Sequence, residues 1–292
     1  MILLYHRVGP DEHPWLLPSL PAETFAWQMA HLSRYYHVIP LAHAIEYFKT
    51  GAELPPRSVV LTFDDGWADI YHNAFPVLRR LRLPATVFLC TEMVERRRLF
   101  PSDRLRYAAY HATVGGLTGE ALYMEVWRRV RQAPTWSEAQ IDGICAELGV
   151  PEDAREADEH VLAWAQVEEM AAGGISFGAH TRTHPDLRRL TPEERVRELA
   201  GSLADVIRHV PSTFRPMAYP FGRYNDEIAQ TCADVGFSCA LSTERGARPY
   251  RSVFEIGRVY ADPPWFRLHI AGFTRTAPLR VTSALWKAGL GA

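Results

Sequence analysis

Short apolar runs recur along the chain, and each breaks off into polar residues before a stretch of helical periodicity begins. The runs are Ile2-Leu3-Leu4-Tyr5, Val38-Ile39, Val59-Val60-Leu61-Thr62-Phe63, Ala85-Thr86-Val87-Phe88-Leu89, Ile175-Ser176-Phe177-Gly178-Ala179, Pro216-Met217-Ala218-Tyr219, Cys239-Ala240-Leu241 and Ile256-Gly257-Arg258-Val259-Tyr260. Continuous apolar, β-branched runs of this length read as strands buried on both faces of a parallel sheet. Between them apolar residues return every three or four positions. Phe25, Met29, Leu32 and Tyr36 form one such stripe, Leu41, Ala44, Ile45 and Phe48 a second, and Ile70, Ala74, Val77, Leu78 and Leu81 a third. Ser19 with Pro21, and Thr191 with Pro192 and Glu194, carry helix-start signals. Helices are also expected over 164–172, 226–235 and 265–273. The alternation stops at about 92 and resumes at about 158. Patterns at 120–132 and 137–148, with charged outer faces, make that region a helical insertion in one domain spanning 1–292.

Strands alternating with helices argue for a parallel α/β architecture. The reactive side chains fall at the C-terminal ends of many strands, and a barrel brings all those ends to one rim. The expected fold is therefore a distorted (β/α) barrel of seven or eight strands, with the helical insertion.

Composition narrows the partners. At 292 residues, 47% hydrophobic and a net charge of −2, the chain can bury an ample core and carries no basic excess that would suggest nucleic acid. Cys90, Cys145, Cys232 and Cys239 are scattered, without a CxxC pair, and read as reduced core residues. No stretch is apolar and long enough for a transmembrane segment. The first residues lack the features of a secretory signal, so a cytoplasmic location is expected, compatible with peripheral membrane association.

The strand ends carry the chemistry. Asp64 and Asp65, followed by Gly66, are two adjacent carboxylates that repel unless a cation or a proton lies between them; the same tripeptide is also ordinary turn chemistry. His180 and His184 are four apart, so one helical turn would put both rings on one side. Such pairs also arise by chance among 12 histidines. Together, two neutral imidazoles and one carboxylate make a three-ligand site for a Zn²⁺-like divalent ion, with a position left for water. The second Asp can then accept the proton of water whose pKa the ion has lowered. Co²⁺, Ni²⁺ and Mn²⁺ suit the same donor set.

Thr62-Phe63-Asp64-Asp65-Gly66, His180-Thr181-Arg182-Thr183-His184, and Arg215-Pro216 with Tyr219-Pro220-Phe221-Gly222 together resemble the polysaccharide deacetylases (carbohydrate esterase family 4, the NodB-homology domain) over about residues 1 to 275. The resemblance implies a NodB-like distorted barrel and a divalent-metal hydrolase that removes N-acetyl groups from N-acetylglucosamine-type sugars. It implies Asp64 as catalytic base, Asp65, His180 and His184 as metal ligands, and Arg215 paired with Asp64. It also implies a backbone N–H near Tyr219 for the oxyanion. The family's late Leu-x-His acid is missing: Cys239-Ala240-Leu241 runs on into Ser242-Thr243, and no Asp-Trp motif supports such a histidine. The opening Leu4-Tyr5-His6-Arg7 resembles instead the subgroup of poly-N-acetylglucosamine deacetylases, which makes His6 the general acid. His269 is the other candidate, in an apolar helical pattern that suggests a structural role.

Trp67 and Tyr224 lie beside the site and are candidates for stacking on a sugar ring, whereas Trp15, Trp27, Trp127, Trp136 and Trp286 read as packing residues. Arg258 reads as a second charge partner in the barrel or a satisfied polar residue, His72 and Asn73 as structural, and Arg96-Arg97-Arg98 as solvated. The expected substrate is an N-acetylated amino sugar, as an oligosaccharide, a polysaccharide or a lipid-linked precursor. The alternatives are a same-fold amidase or deformylase acting on a small amide, and a non-catalytic glycan-binding protein.

Overall fold

The apolar runs become strands that enclose a common interior. The computed structural model describes residues 1–10, 15–16, 18–96, 99–132, 138–150, 160–243 and 252–261. The strands are β1 (Ile2–Tyr5), β2 (His37–Val38), β3 (Ser58–Phe63), β4 (Thr86–Leu89), β5 (Ser176–Ala179), β6 (Pro216–Ala218), β7 (Cys239–Ser242), β8 (Ile256–Gly257) and β9 (Val259–Tyr260). The order β8-β7-β6-β5-β4-β3-β1-β9 is parallel throughout, and β2 pairs with β3 outside that path. This is a nearly closed eight-strand barrel.

Where the sequence suggested one last strand, the chain splits at Arg258. β8 pairs with β7 and β9 with β1. The Arg258 N–H donates to Ser242 O at 2.9 Å and the Ala261 N–H to Leu4 O at 2.9 Å. A single residue thus joins the two edges of the ring.

Side chains alternate across a strand, and this alternation sorts the core. Leu61, Phe63, Val87, Leu89 and Phe177 face the surrounding helices, packing with Phe25 and Met29 of α1 (Ala22–Tyr35) and Leu78 of α3 (Phe75–Leu81). Val60, Phe88, Ala218, Leu241 and Ile256 form a second cluster with Leu41, Ala44 and Ile45 of α2 (Leu41–Thr50). Ile2 packs against that cluster too. These residues share the parity of His6, Asp64, His180 and Arg258, so the same alternation aims the reactive side chains inward. Gly178 fits this interior because a Cβ there would lie 2.5 Å from Pro216 O and 2.8 Å from the Phe88 ring.

The third helical stripe opens with a π-helical turn, Ile70–Ala74, before α3; Pro76 has no N–H to continue a regular ladder backwards. Thr191 caps its helix as expected, accepting from Glu194 N–H at 3.2 Å while Glu194 Oε2 accepts from Thr191 N–H at 2.9 Å. The cap position of α1 is Pro21, with no side-chain cap hydrogen bond, and the Ser19 hydroxyl donates to Gly9 O at 2.7 Å.

Four helices follow β4: α4 (Thr91–Arg96), α5 (Pro101–His111), α6 (Gly119–Gln132) and α7 (Glu138–Glu147). Leu105, Ala108, Tyr123, Val126, Trp127 and Ile141 give α5, α6 and α7 a core of their own, with Arg104 paired to Asp142, whereas Met93 and Val94 of α4 join the main core. The chain then returns through α8 (Trp164–Ala172) to β5, and α9 (Pro192–His209) and α10 (Asp226–Val235) are the remaining α-helices among the described residues. Trp15 and Trp127 pack as expected, and Asn73 donates to Val8 O at 2.7 Å. Trp27 is the exception, 50% exposed on α1. Arg97, Arg98, Trp136, Trp286, His269 and the helix expected over 265–273 lie outside the described residues.

Candidate active site and metal centre

The site is built where β3 leaves the barrel. Asp64 follows the inward parity of Thr62, and its N–H donates to Tyr5 O at 3.0 Å. Asp65 (φ 73°) and Gly66 (φ 79°) then both adopt left-handed backbone. That turn swings the second carboxylate back over the barrel mouth beside the first, a conformation that costs little at Gly66 and strains Asp65.

Asp64 is gripped at both oxygens. Arg258 Nη1 donates to Oδ1 and Nη2 to Oδ2, each at 2.6 Å, and Nη1 also reaches Thr62 Oγ1 at 3.3 Å. Burial alone would push the Asp64 carboxyl up. The Arg258 guanidinium, helped by His180 and His6, outweighs it and holds the group at about 2. Asp64 is therefore ionised at every ordinary pH.

Asp65 divides its oxygens between two tasks. Oδ2 accepts the Trp67 indole N–H at 3.0 Å. Oδ1 faces His180 Nε2 at 3.5 Å and His184 Nε2 at 3.6 Å. His180 Nδ1 donates to Ala218 O at 2.7 Å, which leaves the Nε2 lone pair towards the carboxylate. Burial pushes both imidazoles down to about 4, against the opposing pull of Asp64. Both rings are therefore neutral at ordinary pH, and the approach of His180 Nε2 to Asp64 Oδ2 at 3.8 Å is no ion pair. One ligand atom from each of Asp65, His180 and His184 lies within 4.8 Å of the others. Two neutral imidazole nitrogens and a carboxylate oxygen converging in this way fit a divalent cation, and the two-nitrogen, one-carboxylate set suits Zn²⁺.

The segment carrying the histidines is a loop, not the helical turn their spacing suggested. Thr181 (φ 67°) and His184 (φ 60°) are both left-handed, and the His184 N–H donates to Thr181 Oγ1 at 3.1 Å. The His184 ring lies between Phe221 (centroids 4.6 Å) and Phe100 (5.7 Å). His6 sits just past β1 with its ring parallel to Tyr260 at 5.9 Å, close enough for its charge to lower both Asp64 and His184.

Three expected site residues are placed differently. Arg215 precedes β6, at the end opposite the rim, and is exposed; Arg258 takes the place at Asp64 expected of it. The Tyr219 N–H belongs to the barrel ladder, donating to Leu241 O at 2.9 Å, so it is not an oxyanion donor. The Tyr219 hydroxyl donates to Phe254 O, and its ring stacks on Tyr224 at 4.9 Å. Trp67 is 1% exposed, packed on Phe100 at 5.1 Å and under the Arg7 guanidinium at 5.3 Å. It cannot stack on a sugar; it orients Asp65.

Phe100, Phe221 and the buried Asp103 were not legible as site residues. Burial, with a contribution from Asp65, pushes the Asp103 carboxyl up to about 7 despite Arg106 and Arg7. Phe221 lay in the family-like motif without a role of its own, Phe100 was an aromatic at the start of an insertion helix, and Asp103 carried no signal.

With this geometry in view, the comparisons with known proteins agree. The family model for polysaccharide deacetylases matches residues 51–240. The Bacillus subtilis (strain 168) protein YxkH, whose name assigns it to the polysaccharide deacetylases, is 25% identical over 266 residues, covering 90% of this chain and 71% of YxkH. A poly-β-1,6-N-acetyl-D-glucosamine N-deacetylase of Staphylococcus epidermidis is 41% identical over 68 residues, 23% of this chain and 22% of that enzyme. Among solved structures, the Streptococcus pyogenes deacetylase PplD in complex with acetate shares the fold with a TM-score of 0.66 at 20% identity, covering 95% of this chain and 97% of its own.

Proposed function

The chain belongs to the polysaccharide deacetylase family, and on that premise we propose that it is a metal-dependent hydrolase removing N-acetyl groups from N-acetylglucosamine-type glycans, with release of acetate. The observation that carries the reading is the pairing of two unlike carboxylates at one rim. Asp64 is locked ionised by Arg258, while Asp65 turns one oxygen to two neutral imidazoles. Asp65, His180 and His184 would hold one divalent ion, Zn²⁺ before Co²⁺, Ni²⁺ or Mn²⁺. When bound, the ion supplies Lewis acidity to the amide carbonyl and to water.

The chain's own groups move the protons. Asp64 Oδ2, the oxygen nearer His180, accepts a proton from the attacking water as its oxygen bonds the acetamide carbon. His6 gives a proton to the amide nitrogen as the C–N bond breaks. The products are acetate and a free amino sugar, and His6 and Asp64 exchange their gained and lost protons with solvent to reset the site. Arg258 keeps Asp64 ionised and oriented between turnovers, and the Trp67 indole N–H orients Asp65.

The poly-β-1,6-N-acetyl-D-glucosamine N-deacetylase among the relatives favours a polymeric substrate. No observation supports a lipid-linked precursor, a small amide or a non-catalytic binder. Among the described residues no helix is long and apolar enough to cross a membrane. The test is acetate release from β-1,6- and β-1,4-linked N-acetylglucosamine oligomers by Zn²⁺-loaded protein, with and without a chelator. Chelator-sensitive acetate is expected; loaded protein that releases none from either series would refute the proposal.

A further inference from the structure

The loop from His180 to His184 poses a physical problem. On a helical turn, residues four apart converge by geometry alone. Here the turn is not helical, and the ring centroids come within 4.8 Å only because Thr181 and His184 adopt left-handed backbone. Non-glycine residues avoid that region unless their surroundings over-determine it. Something outside the loop must hold it.

The surroundings are explicit. Glu198, on α9, directs its carboxylate into the loop: Oε2 accepts from the Arg182 N–H at 2.8 Å and the Thr183 N–H at 3.0 Å, and Oε1 from the Thr183 hydroxyl at 2.8 Å. From the other side the first residues of α4 bind the loop carbonyls, Thr91 N–H to Thr181 O at 3.2 Å and Glu92 N–H to Arg182 O at 3.1 Å. The Arg182 side chain lies over Gly201, where a Cβ would meet it at 2.5 Å, and reaches Glu92 at 3.4 Å. Of these partners, only Glu198 offers acceptors to the loop's successive amides.

We propose that Glu198 is a positioning residue that preforms the metal centre, clamping the loop so that His180 and His184 converge before any ion arrives. Its hydrogen bonds go to the Arg182 and Thr183 amides and the Thr183 hydroxyl, not to the ligand atoms. Its effect falls on the free energy of assembling the ligands, and so on metal affinity. The inference rests on the assignment of His180 and His184 as ligands made above.

The experiment is a Zn²⁺ titration of metal-free protein in competition with a chromophoric chelator. It compares wild type, Glu198→Ala, Glu198→Gln and Leu199→Ala. Leu199 is buried on the same helix, so its truncation lowers stability without removing an acceptor from the loop. Supporting residues behind metal ligands are typically worth about 10–100-fold in affinity. Glu198→Ala is expected to weaken Zn²⁺ binding by that factor and Leu199→Ala by less than about twofold. Glu198→Gln is isosteric and serves if the alanine variant does not fold; its oxygen can still accept both amides while its NH₂ donates to Thr183 Oγ1, but the charge that strengthens those bonds is gone, and a several-fold loss is expected. Glu198 variants that bind Zn²⁺ as tightly as Leu199→Ala would overturn the clamp while leaving the ligand assignment standing. Wild-type protein that does not bind Zn²⁺ would overturn that assignment, and the clamp with it.

Discussion

Replacing Arg258 by Met is the sharpest perturbation of this site. Methionine keeps an apolar stem in the position from which Arg258 faces Phe88, at 5.5 Å, and deletes the charge. The two side chains are 0% and 4% exposed, and both bonds between them measure 2.6 Å. Removing one partner of such a pair leaves an uncompensated buried charge and costs about 3–5 kcal/mol. The ionisation of Asp64 gives a second route to the magnitude. Arg258 is the largest influence opposing burial, so without it the carboxyl rises from about 2. Each unit of that rise is worth ~1.36 kcal/mol. The sign follows from linkage. A carboxyl held low in the folded state contributes stability that is fully present above about pH 4 and is lost as pH falls towards 2. The gap between wild type and Arg258→Met, measured by guanidinium denaturation, should therefore be full at pH 7 and narrow below pH 4. The acid limb of kcat/KM should move upward in the variant. Arg258→Met combined with Asp64→Asn should recover much of the lost stability, because no charge is then left buried. A variant within about 0.5 kcal/mol of wild type at pH 7, the ordinary spread of neutral surface changes, with an unmoved acid limb, would show that Arg258 does not govern Asp64.

Three further outcomes follow from the same geometry. His6→Ala should lower kcat/KM by about 10²–10⁴-fold on sugar amides and by much less on an activated aryl acetamide, whose leaving group needs no proton; equal losses on both would remove His6 as the acid. Trp67→Phe keeps the buried ring and deletes the N–H to Asp65 Oδ2, so Zn²⁺ affinity should fall about 10-fold or more with KM for the glycan little changed. Unaltered affinity in a chelator competition would mean that the indole does not orient the carboxylate. His180 and His184 are held at about 4 against an ordinary 6.5. Unfolded imidazoles therefore take up protons that the folded ones refuse, and metal-free protein should lose stability as pH falls from about 6.5 towards 4. Equal urea midpoints at pH 7 and pH 5 would contradict that burial.

Much of this was written in the chain. Apolar runs alternating with amphipathic stretches determined the parallel α/β class, and strand-end polarity pointed to a barrel rim. The Thr191 cap and the packing roles of Trp15 and Trp127 were legible because each depends on neighbours in sequence or on simple burial. Asp64, Asp65, His180 and His184 stood out because paired carboxylates and paired imidazoles fell at strand ends. Period-two alternation even carries the information that His6, Asp64, His180 and Arg258 share one face.

What the sequence could not decide was which groups spend their bonds on one another. Arg215 lay nearer the family-like motif than Arg258, but strand direction sets Arg215 at the far end of the barrel, while ring closure sets Arg258 against a carboxylate 194 positions away. The Tyr219 amide was a plausible oxyanion donor until the β6–β7 register committed it to Leu241. Trp67 could have faced the substrate until Phe100, from the insertion, and Arg7 covered its ring. Local pattern determines which face a side chain takes, because that is a property of one strand. Its partner is determined only when strands distant in sequence are brought into register and each hydrogen-bonding group has a single place left to go.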